Sequence, residues 1–151
     1  LLIIQTSIAV LLFKHVSRNS RAAAQVTVAF TGAQILVEIL KRLLRRERPH
    51  LLVPLVQATG YSYPSGHTMS STAFYLTLAL IVSSGLKGGV RLAVRLAFGL
   101  LILLVGISRI YLGVHYPTDV LSGIVLGTVW SMLTLRFVGS RRNRANLFLQ
   151  K

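Results

Sequence analysis

Residues 22–49 read AAAQVTVAFTGAQILVEILKRLLRRERP, an apolar run that passes into a dense basic cluster and ends at a proline. A bilayer core about 30 Å thick requires roughly 20 apolar residues of helix, and the run at 22–40 has about that length. Three further apolar runs with charged, Gly- or Pro-containing borders lie at 68–84, 92–107 and 118–138. This repeated layout predicts an all-α fold, a polytopic bundle of membrane-spanning helices.

The composition of the chain favours the same interpretation. Of its 151 residues, 53% are hydrophobic and 13% are charged, with 17 Lys and Arg against 3 Asp and Glu and a formal net charge of +14. A soluble domain is roughly 25% charged, and a disordered basic tail lacks apolar residues. The basic residues divide between two membrane faces and do not form one stripe, so nucleic acid is not an expected partner.

The first apolar run, residues 1–13, is too short to cross a bilayer, because thirteen helical residues reach only about 20 Å. The chain also opens without Met in the middle of this run. We interpret 1–151 as a single domain that lacks its N-terminal part. A signal peptide is the alternative, but here the basic residues follow the apolar stretch and no small-residue cleavage pattern is present.

Two predicted helices carry patterns that lipid exposure alone does not require. Polar residues recur at spacings of four and three from residue 27 to residue 48, which predicts a polar stripe that faces other helices. The stripe consists of Thr27, Thr31, Gln34, Glu38, Lys41, Arg45 and Arg48. The alternative is that the threonines bond backbone carbonyls and that Glu38 pairs with Arg42. Gly123 and Gly127 form a GxxxG spacing, which predicts close helix packing.

Two short motifs lie where the predicted helices begin and end. Lys41 is followed after six residues by Arg48 and Pro49, a spacing that puts both cations on one helical face before the proline stops the helix. The sequence PSGH at 64–67 is a turn that opens a helix. Gly66 lets a ligand approach the backbone there, and the unpaired N–H groups of the helix start point at an anion.

A third motif joins the last two predicted helices. Ser108-Arg109 is followed after five residues by His115 and after three more by Asp119. If the helix starts at Pro117, a residue suited to the first helical position, His115 and Asp119 are one turn apart. The carboxylate is then able to accept the Nδ1 proton of His115 and leave the Nε2 lone pair free.

Alternating spans bring all three motifs to one membrane face. The first motif closes the helix at 22–40, the second opens the helix at 68–84, and the third connects 92–107 to 118–138. Three cations, a helix N-terminus and two histidines at one surface describe a phosphate site with a nucleophile and an acid beside it. The irregular link at 49–63 is either a flap over this site or a short amphipathic helix.

In this order, Lys-x6-Arg-Pro, Pro-Ser-Gly-His and Ser-Arg-x5-His-x3-Asp resemble the three-part signature of the type 2 phosphatidic acid phosphatase (PAP2) superfamily. Every signature position is filled between residues 41 and 119. The hydrophobic layout is similar to that of the integral-membrane branch. Because that branch has six spanning helices, the resemblance implies that about five are visible here and that the rest precede residue 1.

The resemblance implies a role for each motif residue. His115 is the nucleophile that forms a phosphohistidine, Asp119 holds its tautomer, and His67 protonates the leaving group and then activates water. The residues that hold the phosphate oxygens are Lys41, Arg48, Ser65, Gly66 and Arg109. No metal and no cofactor are expected, because fixed cations and positioning carry most of phosphoryl transfer.

The implied function is that of an integral-membrane lipid phosphatase, with the bilayer and a membrane lipid as its partners. Undecaprenyl pyrophosphate, phosphatidylglycerophosphate and phosphatidate all fit the family, and small bacterial members favour the prenyl pyrophosphate. One alternative is a non-catalytic lipid-binding or transport homologue, which would lack His67, His115 or Asp119; all three are present. The other is vanadate-dependent halide oxidation, but haloperoxidases with this anion pocket are soluble.

Basic residues also predict the orientation in the membrane. The face opposite the motifs carries ten Lys and Arg and the motif face carries six. Because cytoplasmic loops hold the excess of positive charge, we expect a cytoplasmic C-terminus and an extracytoplasmic active site, in a bacterial cell membrane. Arg42, Arg45 and Arg46 are expected to anchor the helix among lipid headgroups. The expected aromatic belt consists of Tyr61, Tyr63, Tyr111 and Tyr116.

Overall fold

The computed structural model describes residues 11, 19–49, 56 and 58–148, with side chains up to residue 138. Within these ranges the chain forms four long α-helices and no strand. They are α1 (Ser20–Leu44), α2 (Gly66–Ser83), α3 (Gly88–Tyr111) and α4 (Pro117–Phe148). The predicted all-α bundle is confirmed, while the apolar run at 1–13, apart from residue 11, lies outside the described residues.

Local chemistry explains where α1 begins and ends. The Asn19 side chain accepts a hydrogen bond of 3.0 Å from the Ala22 amide and caps the first turn. At the other end, Arg45 adopts a left-handed conformation with φ of 46°, and its N–H bonds the Lys41 carbonyl at 3.0 Å. The helix α1 therefore passes the end of the apolar run at residue 40 but stops at Leu44, before Arg48 and Pro49. The prediction that Lys41 and Arg48 share one helical face up to the proline was wrong, because the left-handed Arg45 ends the helix earlier.

Three of the helices are long and apolar enough to cross a membrane: α1, α3 and the Pro117–Val138 part of α4. Within α3, large apolar side chains such as Leu96, Leu100 and Leu103 are exposed, and the buried residues are Ile102 and Gly106. An apolar surface of this extent is typical of contact with lipid.

The helix α2 differs from the expectation, because it is not among these three candidate spans although residues 68–84 were predicted to span. Its central part carries buried hydroxyl side chains, which are Ser70, Ser71, Thr72 and Thr77. The physical reason is its position: α2 packs against α1, α3 and α4. A helix that is surrounded by protein needs no apolar face toward lipid. Two of the hydroxyls bond within the bundle: Ser71 donates to the Thr68 carbonyl at 3.1 Å, and Thr77 shares a hydrogen bond of 2.8 Å with Ser131.

The predicted close packing at the GxxxG spacing is confirmed in the contact between α2 and α4. A Cβ atom added to Gly127 would lie 2.6 Å from the Met69 carbonyl oxygen and 2.8 Å from Cβ of Thr72. A Cβ on Gly123 would lie 3.0 Å from the Ser65 carbonyl oxygen. The two glycines thus let the backbones of α2 and α4 approach each other.

A second close approach, between α1 and α4, has no counterpart in the sequence analysis. Trp130 of α4 lies against Gly32 of α1, where an added Cβ would come within 2.2 Å of the indole ring. The indole N–H donates to the Ala29 carbonyl at 3.1 Å. A lone glycine in an apolar run gives no sign of its partner, so this contact was not predictable.

The helix α4 also continues past its predicted end at residue 138 to Phe148. Residues 139–148, GSRRNRANLF, contain no proline. Their Arg, Ala and Leu residues are favourable in helices, so nothing in this segment ends α4.

Candidate active site

The three motifs meet around one cavity of about 640 Å³. Its walls come from α1, the segment between α1 and α2, α2, α3 and the link between α3 and α4. Six of the eight residues assigned to the site by sequence line this cavity: Lys41, Arg48, Gly66, His67, Arg109 and His115. The motif residues thus lie at one end of the bundle, as the alternation of helices requires.

The other two assigned residues, Ser65 and Asp119, are fully buried behind the cavity wall. The Ser65 hydroxyl shares a hydrogen bond of 2.9 Å with the Thr68 hydroxyl, and the Ser65 amide donates to the Asp119 carbonyl at 3.0 Å. Ser65 therefore joins the start of α2 to the start of α4. Its side chain is not part of the cavity lining, in contrast to the phosphate contact expected from the sequence.

A short turn carries His115 to the cavity. The helix α3 ends at Tyr111, and Gly113 follows with φ of 71°, a conformation that favours glycine. The Gly113 amide bonds the Ile110 carbonyl at 2.9 Å and closes the turn. Pro117 then starts α4, so His115 is fixed between two helix ends and is only 5% exposed.

His115 and Asp119 are neighbours, as the spacing predicts, but their contact is long. Nδ1 of His115 lies 3.5 Å from Oδ2 of Asp119, and in the described part of the chain Nδ1 has no hydrogen-bond partner. Catalytic hydrogen bonds are often long before substrate binds and shorten afterwards. Oδ2 accepts a hydrogen bond of 3.0 Å from the Tyr116 amide.

Burial and the Arg48 cation lower the pKa of His115 to about 4, and the Asp119 carboxylate opposes this only in part. The imidazole is therefore neutral at neutral pH. A neutral imidazole has the lone pair that a nucleophile requires.

The second oxygen of Asp119 binds Arg46, a residue that the sequence analysis placed among lipid headgroups. Nη1 of Arg46 lies 2.8 Å from Oδ1 of Asp119 and 2.8 Å from the Thr118 hydroxyl. The guanidinium also stacks on Tyr116, 4.2 Å from the ring centroid. Both Arg46 and Tyr116 thus belong to the surroundings of the buried carboxylate, a contact that the sequence analysis did not predict.

Arg48 lines the cavity, but much of its bonding capacity is already used. Its Nε, Nη1 and Nη2 donate to the carbonyls of Gly60, Val114 and Thr59 at 3.0, 2.9 and 2.9 Å. A guanidinium has five N–H groups, so two remain for a ligand. Arg48 thus ties the 59–60 link and the His115 turn together while it presents its charge to the cavity.

The other two cations approach from different helices. Lys41 lies in the last turn of α1, and Arg109 lies in the last turn of α3, where its Nε donates to the Ser108 hydroxyl at 3.1 Å. Both side chains line the cavity together with His67 at the start of α2. The arrangement gives an anion three cations and the N-terminus of α2 as partners.

The polar stripe of α1 divides in two. Near the start of the helix, the hydroxyls of Thr27 and Thr31 donate to the carbonyls of Ala23 and Thr27 at 2.9 and 2.7 Å. This confirms the alternative interpretation, in which the threonines bond backbone carbonyls of their own helix. Gln34, Glu38 and Lys41 line the cavity. The cavity therefore continues from the cations toward the middle of the bundle, where its apolar walls include Phe30 and Val37.

No group of three or more His, Cys, Asp or Glu residues that could hold a metal ion occurs in the part of the chain that the structure describes. The donors that line the cavity are mostly cations and N–H groups. Donors of this kind suit an anionic ligand.

Comparison with known proteins gives the same assignment as the motifs. The family model of the PAP2 superfamily matches residues 22–143. Phosphatidylglycerophosphatase B of Bacillus subtilis (strain 168) is 37% identical over 112 residues, which cover 73% of this chain and 55% of the relative. An undecaprenyl-diphosphatase of Sulfolobus acidocaldarius is 34% identical over 136 residues, which cover 83% of this chain and 58% of the relative. The chain thus spans a little over half the length of these two proteins.

The fold comparison agrees with the sequence comparison. The crystal structure of a transmembrane PAP2-type phosphatidylglycerolphosphate phosphatase from Bacillus subtilis matches with a TM-score of 0.78 and 30% sequence identity. The match covers 93% of this chain and 68% of that chain. With its complete motif set and its membrane-spanning helices, the chain belongs to the PAP2 superfamily as an integral-membrane protein.

Proposed function

We propose that the protein is a lipid phosphatase that transfers the phosphoryl group of a membrane lipid to His115 and then to water. The observation that carries this proposal is the cavity itself, in which the cations Lys41, Arg48 and Arg109 surround two histidines. Positioning and charge neutralisation are what phosphoryl transfer requires of a protein. A neutral His115 beside these cations supplies the nucleophile.

In the first step, Nε2 of His115 attacks phosphorus and the bond from phosphorus to the leaving oxygen breaks. Nε2 is the free nitrogen, because Nδ1 faces Asp119. His67 gives its proton to the leaving oxygen, so the lipid departs as an alcohol or as a lipid phosphate. The product on the protein is a phosphohistidine, whose positive imidazole is stabilised by the Asp119 carboxylate.

In the second step, water replaces the histidine on phosphorus. His67, now neutral, accepts a proton from the water molecule, the phosphorus–nitrogen bond breaks, and inorganic phosphate leaves. His115 returns to its neutral form. Lys41, Arg48 and Arg109 neutralise the oxygens in both steps, so this scheme requires no metal ion.

The two kinds of wall that line the cavity support the proposed substrate class. Cations surround the end near His67 and His115, and apolar side chains such as Phe30 and Val37 line the continuation. A lipid phosphate fits such a cavity, because its phosphate group matches the cationic end and its hydrocarbon chain matches the apolar walls. The relatives are named for phosphatidylglycerophosphate and undecaprenyl diphosphate. We therefore propose a phosphomonoester or a terminal diphosphate of a membrane lipid as the substrate.

The test is release of inorganic phosphate by the purified protein in detergent with EDTA. The panel contains undecaprenyl pyrophosphate, phosphatidylglycerophosphate and phosphatidate, with His115→Ala as the control. We expect turnover of at least one lipid by the wild type and none by the variant. Absence of turnover with all three lipids, together with binding of one of them, would favour a non-catalytic homologue instead.

We further propose that the cavity opens on the extracytoplasmic side, since the opposite face carries more basic residues. The chain has no cysteine, so a single introduced thiol reports its own position. In intact cells, a membrane-impermeant maleimide is expected to label Thr59→Cys and to leave Lys87→Cys, at the other end of the bundle, unlabelled until lysis. The reverse pattern would overturn this orientation.

A further inference from the structure

The two oxygens of Asp119 have different partners, and this division has a chemical effect on His115. Oδ1 lies 2.8 Å from Nη1 of Arg46, whereas Oδ2 accepts from the Tyr116 amide and lies 3.5 Å from Nδ1 of His115. Asp119 has no solvent exposure. Burial of a charged group is costly unless the group is paired, and the Arg46 guanidinium supplies an ion-pair partner at Oδ1.

Arg46 is itself held from several sides. Its carbonyl accepts hydrogen bonds from the amide and the hydroxyl of Ser62, at 2.8 and 3.2 Å. Its guanidinium bonds the Thr118 hydroxyl and stacks on the Tyr116 ring. The side chain thus crosses from the segment after α1 to the start of α4 in a fixed geometry, which a flexible surface arginine would lack.

Two arginines of one segment therefore reach the surroundings of His115 from two directions. Arg48 donates to the carbonyl of Val114, the residue before His115. Arg46 binds the carboxylate behind the imidazole. A carboxylate that is shared with Arg46 attracts the imidazolium form of His115 less strongly than an unshared one, by Coulomb's law.

We propose that Arg46 is a positioning residue of the phosphatase, which fixes the Asp119 carboxylate behind His115 and draws part of its negative charge away from the imidazole. The inference rests on the proposed function, but it concerns a residue outside the three motifs. Arg46 does not line the cavity and acts through Asp119. Once the imidazole is phosphorylated and positive, the carboxylate is already in place to stabilise it.

Other charged groups also act on His115, and the experiment must hold them constant. Substitution of Arg46 removes one positive charge and leaves the other charged groups around His115 in place. In the described part of the chain, the remaining titratable and charged groups around His115 and its cavity are Glu38, Lys41, Arg48, His67, Tyr75, Arg109 and Asp119.

The test compares Arg46→Gln with Arg42→Gln, a matched loss of one cation from an exposed position near the end of α1. Turnover is measured from pH 4 to pH 9, and the imidazole of His115 is titrated by NMR in detergent. In Arg46→Gln the unshared carboxylate should raise the pKa of His115 by about one unit, a tenfold change in the ratio of its two forms. The pH at which kcat/KM falls on the acid side should rise by the same amount. In both measurements Arg42→Gln should match the wild type.

Arg46→Lys keeps the charge and loses the forked geometry, so it should restore most of the titration but not all of kcat. An unchanged titration of His115 in Arg46→Gln would overturn the proposal, even if kcat or thermal stability fell, because such a result would leave Arg46 a merely structural role. If Arg46→Gln fails to fold, Thr118→Val, which removes one partner of the guanidinium, is titrated in its place. If the wild type has no activity, the proposed function fails, whereas the NMR titration still tests the influence of Arg46.

Discussion

His115 is buried beside one arginine and one carboxylate, and in the proposed mechanism its protonation decides when it is able to attack phosphorus. Its pKa of about 4 lies below the ordinary value of 6.5, chiefly because burial and Arg48 disfavour the positive form. The neutral imidazole therefore persists through mildly acidic pH. This property depends on residues that are distant in the sequence, so it was not predictable from the His-x3-Asp spacing.

The first prediction concerns pH. Between pH 7 and pH 5, kcat/KM should not fall through protonation of His115, and it should decrease only as the pH approaches 4. An acid limb centred near 6.5 would contradict this assignment. Unfolding frees the imidazole to take up a proton between about pH 6.5 and pH 4, so thermal stability in detergent should also decrease as the pH falls through that window.

The second prediction concerns Arg48→Lys. The three carbonyl contacts of Arg48 need a planar fork, which an ammonium group cannot reproduce. Each hydrogen bond of a charged group contributes about 1.5–3 kcal/mol, so loss of even one should lower the melting temperature measurably, and kcat should fall because the His115 turn loses an anchor. The control is Arg42→Lys on the exposed side of α1. Equal melting temperatures and equal turnover for the two variants would show that the carbonyl contacts have no effect.

At the level of the helices, the sequence predicted the positions of most helices and one of the contacts between them. Apolar runs of spanning length located α1, α3 and the first part of α4, and the GxxxG spacing identified the contact of α4 with α2. The enclosed position of α2 was not predictable, because hydropathy does not reveal which helix the others surround. The same holds for the Trp130–Gly32 contact, which is decided by how α1 and α4 pack.

The third prediction concerns the contact between α2 and α4. In Gly127→Ala the new methyl group would meet the backbone carbonyl of Met69, which is not free to move aside as a flexible side chain is. Overpacking of this kind costs about 1–3 kcal/mol, so the melting temperature in detergent should fall by several degrees. Gly99→Ala on α3 is the control, because its added Cβ would meet no atom of a neighbouring helix within 4 Å. Equal melting temperatures for the two variants would contradict the close packing.

At the scale of the whole molecule, alternation of the helices across the membrane placed three motifs at one end. This argument needs only the order of the helices, so the shared position of the motifs was predictable from the sequence. The finer contacts were not. Arg46 is separated from Asp119 by more than seventy residues, and its segment is not helical, so no periodicity relates the two positions. The burial of the Ser65 hydroxyl was likewise not predictable, because it depends on the contact with Thr68.

The measurement that tests the central claim most directly is a search for the covalent intermediate in His67→Ala. Without the group that activates water, the second step should slow more than the first when the leaving group is a good one. A diphosphate lipid is therefore the suitable substrate. The reaction is quenched with alkali, because phosphohistidine is labile in acid, and the peptides are analysed by mass spectrometry. We predict a phosphate on the peptide that contains His115 and none in the His115→Ala, His67→Ala double variant. If the wild type hydrolyses the same lipid but no phosphate is found on His115, or the phosphate is found on another residue, His115 is not the nucleophile.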